Sequence, residues 1–135
     1  MQLFASKTRA TKMTTPQAKR KVLVVDDERR IADSVSEILQ QNGYSAAAVY
    51  SGDDAIEHAR TLCPDVVICD VLMPRKNGVE TAIAISKLCA QCRIILFSGQ
   101  SQTADILKQA SAAGHNFELL PKPIHPGELL RSLQS

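Results

Sequence analysis

The fold of this chain is constrained most by five short apolar runs that alternate with longer segments of helical spacing. The runs are VLVV, YSAAAVY, PDVVICD, RIILFSG and FELLPKP, and their length and composition are typical of strands. The segments that follow them are ERRIADSVSEILQQNG, SGDDAIEHARTL, NGVETAIAISKLC, TADILKQASAAG and PGELLRSLQ, which favour helices. Strand and helix therefore alternate five times, which predicts a parallel sheet with helices on both faces.

Signals at the ends of these segments support the same interpretation. Ser51 is a predicted helix N-cap, because an acid, Asp54, follows three residues later, and Gly43 is a predicted helix stop. The mostly β-branched run at 22–25 is bounded by charged residues and reads as a strand that is buried on both faces. Five such units predict an α/β fold: a doubly wound five-stranded parallel sheet in the flavodoxin-like order 2-1-3-4-5, a (βα)5 sandwich.

Length and charge divide the chain into two parts. With 135 residues it is long enough for one hydrophobic core. Six of the sixteen basic residues and none of the fourteen acids lie before residue 22, so the rest is mildly acidic. We predict a flexible basic N-terminal extension at 1–20 and one domain at 21–135.

Three interpretations of the extension stay open: an electrostatic arm for nucleic acid or a partner, a start site at Met13, or no role. The extension lacks interleaved aromatic residues, so we expect no direct contact with nucleic acid. No apolar run approaches the roughly 18 residues that a membrane span needs, so we expect no membrane insertion and a cytoplasmic location.

The chain has four cysteines, of which Cys89 and Cys92 form a CxxC pair. A redox CxxC normally begins a helix, whose N-terminus lowers the thiol pKa, whereas this pair ends a predicted helix. A structural zinc would need two further ligands, and there is no second CxxC and no HxxxH pair. We therefore expect all four cysteines, Cys63 and Cys69 included, to be reduced thiols that are partly buried.

Three acids follow the first predicted strand directly: Asp26, Asp27 and Glu28. Two carboxylates about 4 Å apart repel by about 4 kcal/mol at an effective dielectric of about 20, a cost that a cation, a proton or exposure to water relieves. Acids also favour the first turn of a helix, where the helix dipole stabilises them. From this stretch alone, a helix start and a metal site are both open.

Other polar residues end the neighbouring strands of the predicted sheet. Asp70 ends the third strand, Ser98 the fourth and Lys122 the fifth, and in this fold the carboxyl ends of the strands form the ligand site. Together with Asp26 and Asp27, these residues converge on one edge of the sheet. Clustered carboxylates suit Mg²⁺, and a lysine and a hydroxyl suit phosphoryl oxygens, so the set indicates phosphoryl transfer to a carboxylate.

The motifs VLVVDDE, DVVICDVLMPRKNG, IILFSG and LLPKP resemble the receiver domain of two-component response regulators over residues 21–134. The resemblance implies that Asp70 is the phospho-acceptor. It implies that Asp27 and Asp70 bind Mg²⁺ through their carboxylates, that Asp26 holds a metal-bound water, and that Leu72 supplies its backbone carbonyl to the metal.

The same resemblance assigns the remaining site residues and the partners. Ser98 would bind the phosphoryl group through its hydroxyl, and Lys122 would pair with the acyl phosphate and precede a cis peptide bond to Pro123. The phosphoryl donor would be a histidine kinase or a histidine phosphotransfer protein. The output would be contact with a downstream protein through the fourth helix, fifth strand and fifth helix of a monomer or a weak phosphorylation-dependent dimer.

The sequence departs from the family pattern in the last strand. The family usually has an aromatic switch residue three positions before the lysine, but this chain has Leu119 there and Phe117 two residues earlier. The usual conformational coupling between Ser98 and an aromatic ring at this position is therefore not expected. The chain also stops after a short last helix, which predicts either a receiver that stands alone or one cut from a larger protein.

Two other function classes share parts of this pattern. An aspartate-nucleophile phosphohydrolase would have a second Asp where Leu72 stands, and a degenerate receiver that serves as a scaffold would have lost a site acid or the lysine. Neither fits, so we expect a signalling domain that assists its own phosphorylation but is not otherwise an enzyme. Leu72 and Gln100 occupy the positions that tune the lifetime of the acyl phosphate in this family, and an apolar Leu72 predicts slow hydrolysis.

Overall fold

The computed structural model describes residues 19–99, 103–112, 114–115 and 117–134. Strands and helices alternate along these ranges. The strands are β1 (Lys21–Val25), β2 (Ser45–Val49), β3 (Val66–Asp70), β4 (Arg93–Ser98) and β5 (Glu118–Pro121). The helices are α1 (Arg29–Gln41), α2 (Gly52–Thr61), α3 (Gly78–Leu88), α4 (Thr103–Ala112) and α5 (Pro126–Gln134). Except for Lys19 and Arg20, the predicted N-terminal extension lies outside the described residues.

The five strands form one parallel sheet in the order β2-β1-β3-β4-β5. The predicted fold class and strand order are therefore confirmed. The strand β2 lies on one side of β1, whereas β3, β4 and β5 follow on the other side, so the strand order switches between β1 and β3. At this switch point Val25 pairs with Cys69. The residues that follow this pair, Asp26 and Asp70, consequently meet at the carboxyl edge of the sheet, as the sequence predicted.

Both faces of the sheet are covered by helices. Leu23 and Val25 of β1 belong to a core cluster that includes residues of α2 and α3, whereas Val22 and Val24 belong to a cluster that includes residues of α1 and α5. These four side chains are at most 2% exposed, which confirms a strand buried on both faces. Polar side chains are therefore placed at the ends of such a strand, where they can reach the edge of the sheet.

The predicted helix signals are found where the sequence placed them. The Ser51 hydroxyl accepts a hydrogen bond of 3.1 Å from the Asp54 backbone N–H at the start of α2. Gly43 has a φ of 92° just after α1, a backbone conformation that favours glycine. Among the described helices, none has the length and apolar character needed to cross a bilayer.

The expectation of four reduced cysteines is wrong for one pair. Cys63 and Cys89 form a disulfide with their Cα atoms 5.7 Å apart, whereas Cys69 and Cys92 are free thiols. Cys63 lies just beyond α2 and Cys89 just beyond α3, and these two helices pack on the same face of the sheet. The sequence spacing drew attention to the CxxC pair, but the pairing depends on where two adjacent helices end.

Cys92 is not placed to be a ready exchange partner for this disulfide. Burial raises the pKa of its thiol to about 11, so the thiol is protonated at neutral pH. Because the thiolate is the attacking species in disulfide exchange, a protonated Cys92 reacts slowly. Cys92 is therefore a poor attacking thiol for the disulfide that links the ends of α2 and α3.

We predict that Cys63→Ser lowers the free energy of unfolding by about 3 to 4 kcal/mol, because the bridge closes a loop between residues 26 positions apart. Cys63 is exposed, so the substitution removes the crosslink and little packing. Urea unfolding measures the change. Reductant should destabilise the parent and Cys92→Ser by the same amount and leave Cys63→Ser unaffected. If reductant leaves the free energy of unfolding of the parent unchanged, the crosslink contributes nothing to stability.

Candidate functional site

Strand register brings the predicted site residues to one edge of the sheet. Asp70 pairs with Phe97, and Ser98 pairs with Pro121, whose neighbour Lys122 donates its backbone N–H to the Ser98 carbonyl at 3.1 Å. Asp70, Ser98 and Lys122 line a cavity of about 320 Å³. Its lining residues are Asp27, Glu28, Asp70, Leu72, Ser98, Gly99 and Lys122. Asp26 lies beside it, within reach of Lys122.

The two acids that follow β1 occupy different environments. Asp26 is fully buried, whereas Asp27 is exposed at the cavity. The Asp26 Oδ1 accepts a hydrogen bond of 2.9 Å from the Glu28 backbone N–H, and its Oδ2 has no hydrogen-bond partner among the described residues. A buried carboxylate oxygen with an unsatisfied lone pair is costly unless a cation or a proton meets it.

The interpretation of these acids as the first turn of a helix does not hold. Helix α1 begins at Arg29, its N-cap residue Glu28 makes no side-chain capping bond, and the first turn of this fully described helix has no acidic residue. Asp26 and Asp27 therefore lie before the helix and face the site. Their arrangement favours the metal-site interpretation.

Lys122 joins the two buried acids electrostatically. Its Nζ lies 3.1 Å from the Asp70 Oδ1 and 3.8 Å from the Asp26 Oδ2. The peptide bond between Lys122 and Pro123 is cis, as the family resemblance implied. An ammonium between two carboxylates offsets part of their mutual repulsion and places a positive charge directly beside Asp70.

The pKa values of the site groups report these competing effects. Burial raises the pKa of Asp26 to about 6, and the Asp70 charge adds to the increase. Burial also raises the pKa of Asp70, although the hydrogen bond and charge of Lys122 oppose it. For Lys122, burial alone would lower the pKa, but the hydrogen bond to Asp70 and the nearby carboxylates keep it above its usual value. Lys122 is therefore protonated and positively charged at neutral pH.

The acids of this site match the ligand chemistry of a divalent cation. Carboxylate oxygens of Asp26, Asp27 and Asp70 lie within 4.8 Å of one another. The Oδ2 of Asp26, which lacks a hydrogen-bond partner among described residues, gives the cluster a donor atom that a cation or its bound water would satisfy. All three are hard oxygen donors, which Mg²⁺ prefers.

The loop 71–77 after Asp70 borders the mouth of the cavity. Leu72 is 41% exposed at the mouth of the cavity, and its backbone N–H hydrogen-bonds Asp70 and lowers the pKa of that carboxyl. Arg75 has a φ of 67°, a left-handed conformation that is uncommon for a residue other than glycine. The predicted role of the Leu72 carbonyl as a metal ligand stays a prediction, and Gln100 lies outside the described residues.

Gly78, the first residue of α3, lies directly against the backbone of Asp70. A Cβ on this glycine would clash with the Asp70 carbonyl oxygen. Its N–H also donates to the Val71 carbonyl at 2.7 Å. Glycine therefore lets α3 begin in direct contact with the backbone of Asp70.

The response regulator receiver domain family model matches residues 22–134. The chain therefore belongs to the family of response regulator receiver domains of two-component systems. The chemotaxis protein CheY of Thermotoga maritima is 30% identical over 115 residues, covering 84% of this chain and 94% of that protein. The chemotaxis protein CheY4 of Vibrio cholerae has a solved structure with a TM-score of 0.77 and 32% identity, covering 87% of this chain and 98% of that one.

Other relatives are longer than this chain. The transcriptional regulatory protein DltR of Streptococcus agalactiae is 28% identical over 114 residues, which cover 84% of this chain but 50% of the relative. The chain thus spans about half the length of several curated relatives that it matches. The region that the chain shares with these longer relatives is the receiver domain.

We predict that Asp26→Asn raises the melting temperature of the metal-free protein more at pH 7.5 than at pH 4.5. A carboxyl whose pKa is raised in the folded state favours folding at low pH, and this contribution is lost as the pH rises through about 6. The gain at pH 7.5 should be on the order of 1 to 2 kcal/mol, or roughly 4 to 8 °C.

Thermal unfolding in a chelator measures this difference. Asp27→Asn is the matched control, and it should change little because Asp27 is exposed. An equal gain for Asp26→Asn at both pH values would show that the buried charge does not limit stability.

Proposed function

We propose that this receiver domain accepts a phosphoryl group on Asp70 from a phosphohistidine of a sensor kinase or a histidine phosphotransfer protein. The observation that carries the proposal is the contact of 3.1 Å between the Lys122 Nζ and the Oδ1 of Asp70, at an open cavity shared with other acids. A buried, oriented carboxylate beside a fixed cation is suited to attack phosphorus and to hold the product.

In the proposed step, an Asp70 carboxylate oxygen attacks the phosphorus, and the new O–P bond forms as the P–N bond to the donor imidazole breaks. The bonding pair stays with the imidazole nitrogen. Lys122 then turns from the Asp70 carboxylate to an oxygen of the new acyl phosphate, and the Ser98 hydroxyl donates to another. Both contacts orient the phosphoryl group and offset its charge.

Mg²⁺ is the proposed cofactor, held by Asp26, Asp27 and Asp70 together with the Leu72 carbonyl. When bound, Mg²⁺ would neutralise charge on the phosphoryl oxygens as transfer proceeds. The chain's own contribution is to keep the three acids together before the ion arrives. Asp26 does so through its hydrogen bond to the Glu28 N–H, which holds its carboxylate in one orientation.

The proposed output surface consists of α4, β5 and α5. On it Leu119 is 46% exposed, whereas Phe117 is partly buried against the core and stacks on His115 with ring centroids 5.9 Å apart. An exposed apolar side chain, that of Leu119, therefore occupies the position of the usual aromatic switch residue. We propose that a downstream protein binds this surface in the cytoplasm, and that the domain acts as a monomer or a weak phosphorylation-dependent dimer without contacting nucleic acid directly.

We predict that acetyl phosphate with Mg²⁺ adds one phosphoryl group to the parent and none to Asp70→Asn, since the amide is not a nucleophile. Intact mass spectrometry measures the addition, and chelation of Mg²⁺ should suppress it. Asp53→Asn, which alters an exposed acid of α2 outside the proposed acceptor set, is the control and should label like the parent. Labelling that survives in Asp70→Asn would overturn the assignment.

We predict that Leu72→Asn speeds hydrolysis of the phosphorylated protein several-fold. Leu72 presents apolar bulk at the cavity mouth, whereas an amide can hydrogen-bond a water in line with the acyl phosphate. The decay of the phosphorylated mass in excess Mg²⁺ gives the rate. Leu62→Asn is a matched control because Leu62 is 48% exposed and follows α2 at the opposite edge of the sheet. Equal decay of parent and Leu72→Asn would refute this role.

A further inference from the structure

Glu28 lies at the boundary between the site cavity and a second, larger groove. The groove has a volume of about 500 Å³ and lies between α1 and the segment 122–124. Of the described residues that line these two cavities, Glu28 and Lys122 line both. A donor that reaches Asp70 from the groove must pass these two side chains.

The backbone of Glu28 is held firmly, although its side chain is exposed. Its N–H donates to the Asp26 Oδ1 at 2.9 Å, and its carbonyl accepts from the N–H groups of Ile31 and Ala32 at 3.0 and 3.1 Å. The side chain makes no capping bond to α1. Its position is therefore fixed by the site, while its carboxylate is not used to stabilise the helix.

The charge of Glu28 acts on the site. Its carboxylate places a negative charge on the wall that the site cavity shares with the groove, next to Lys122. Lys122 is already engaged by Asp70 and Asp26. The boundary between the cavity and the groove thus carries the negative charge of Glu28 beside a lysine that the site acids already engage.

We propose that Glu28 is a specificity-determining residue that favours phosphoryl donors with a protonated nitrogen leaving group over acyl phosphates. This inference rests on the proposed function of Asp70. When the P–N bond breaks, its electron pair goes to nitrogen, and the group leaves neutral only if the donor already carries a proton. A carboxylate that accepts a hydrogen bond from the donor N–H stabilises this protonated donor.

For acyl phosphates, the Glu28 carboxylate is expected to slow transfer rather than to favour it. Acetyl phosphate transfers its phosphoryl group to Asp70 and releases acetate, so negative charge develops on the leaving group beside Glu28. Phosphoramidate transfers the same group and releases neutral ammonia, with the bonding pair retained by nitrogen. The two small donors therefore differ at the atom that Glu28 would contact, whereas the bond formed to Asp70 is identical.

The test compares initial rates of labelling by phosphoramidate and by acetyl phosphate, in saturating Mg²⁺, for the parent and Glu28→Gln. The substitution should slow labelling by phosphoramidate and speed labelling by acetyl phosphate. The ratio of the two rates should fall by about two- to fivefold, the range expected for one charge interaction at a solvent-open site. Higher salt should shrink the difference between parent and variant, since the interaction is screened.

Glu37→Gln is the matched control, because it removes the same charge from an exposed position on α1 that lines neither cavity. It should leave the rate ratio unchanged. A Glu28→Gln variant that changes both rates by one factor, or neither, would overturn the inference while Asp70 still labels. A parent that neither donor labels would overturn the proposed function and this inference with it.

Discussion

Two buried carboxylates at the ends of adjacent parallel strands determine how this domain is organised. Pairing of Val25 with Cys69 aligns β1 with β3, so that Asp26 and Asp70 follow at the same edge. Neither carboxylate can move away, because both faces of the sheet are covered by core clusters. Lys122, held by the β4–β5 pairing, supplies the cation that makes the arrangement tolerable.

Lys122 offsets only part of the repulsion between the two carboxylates, and the remaining charge favours binding of a cation. The ammonium of Lys122 lies closer to Asp70 than to Asp26, and burial keeps the pKa of Asp26 near 6. The metal-free fold therefore retains an unfavourable charge that a divalent cation would relieve. A site that stabilised its acids fully would have less to gain from binding a metal and a phosphoryl group.

Much of the fold and of the site edge could be predicted from sequence, because strand ends in a parallel sheet converge whatever the details of packing. The period of the apolar runs located β1 to β5, and each polar strand end then fell on the same edge. The sequence could not tell which of Asp26 and Asp27 is buried. A strand that is buried on both faces has no polar side to set the direction of the residues that follow it.

The missed features depend on approach distances between elements that are remote in sequence. The Cys63 and Cys89 bridge requires the carboxyl ends of α2 and α3 to lie side by side, which periodicity does not report. Gly78 is needed because α3 begins against the Asp70 backbone, a contact between elements that the local sequence does not report. Glu28 was visible as a third acid, but its place between two cavities depends on the position of the segment 122–124.

The central claim is that Asp70 is the carboxylate that becomes an acyl phosphate. Borohydride reduces an aspartyl phosphate to homoserine and leaves a free carboxylate intact, so reduction after phosphorylation marks the acceptor. Tandem mass spectrometry of the resulting peptides then identifies the position. The account predicts homoserine at position 70 alone, and only when Mg²⁺ was present. Homoserine at position 26 or 27, or at none of the aspartates, would contradict it.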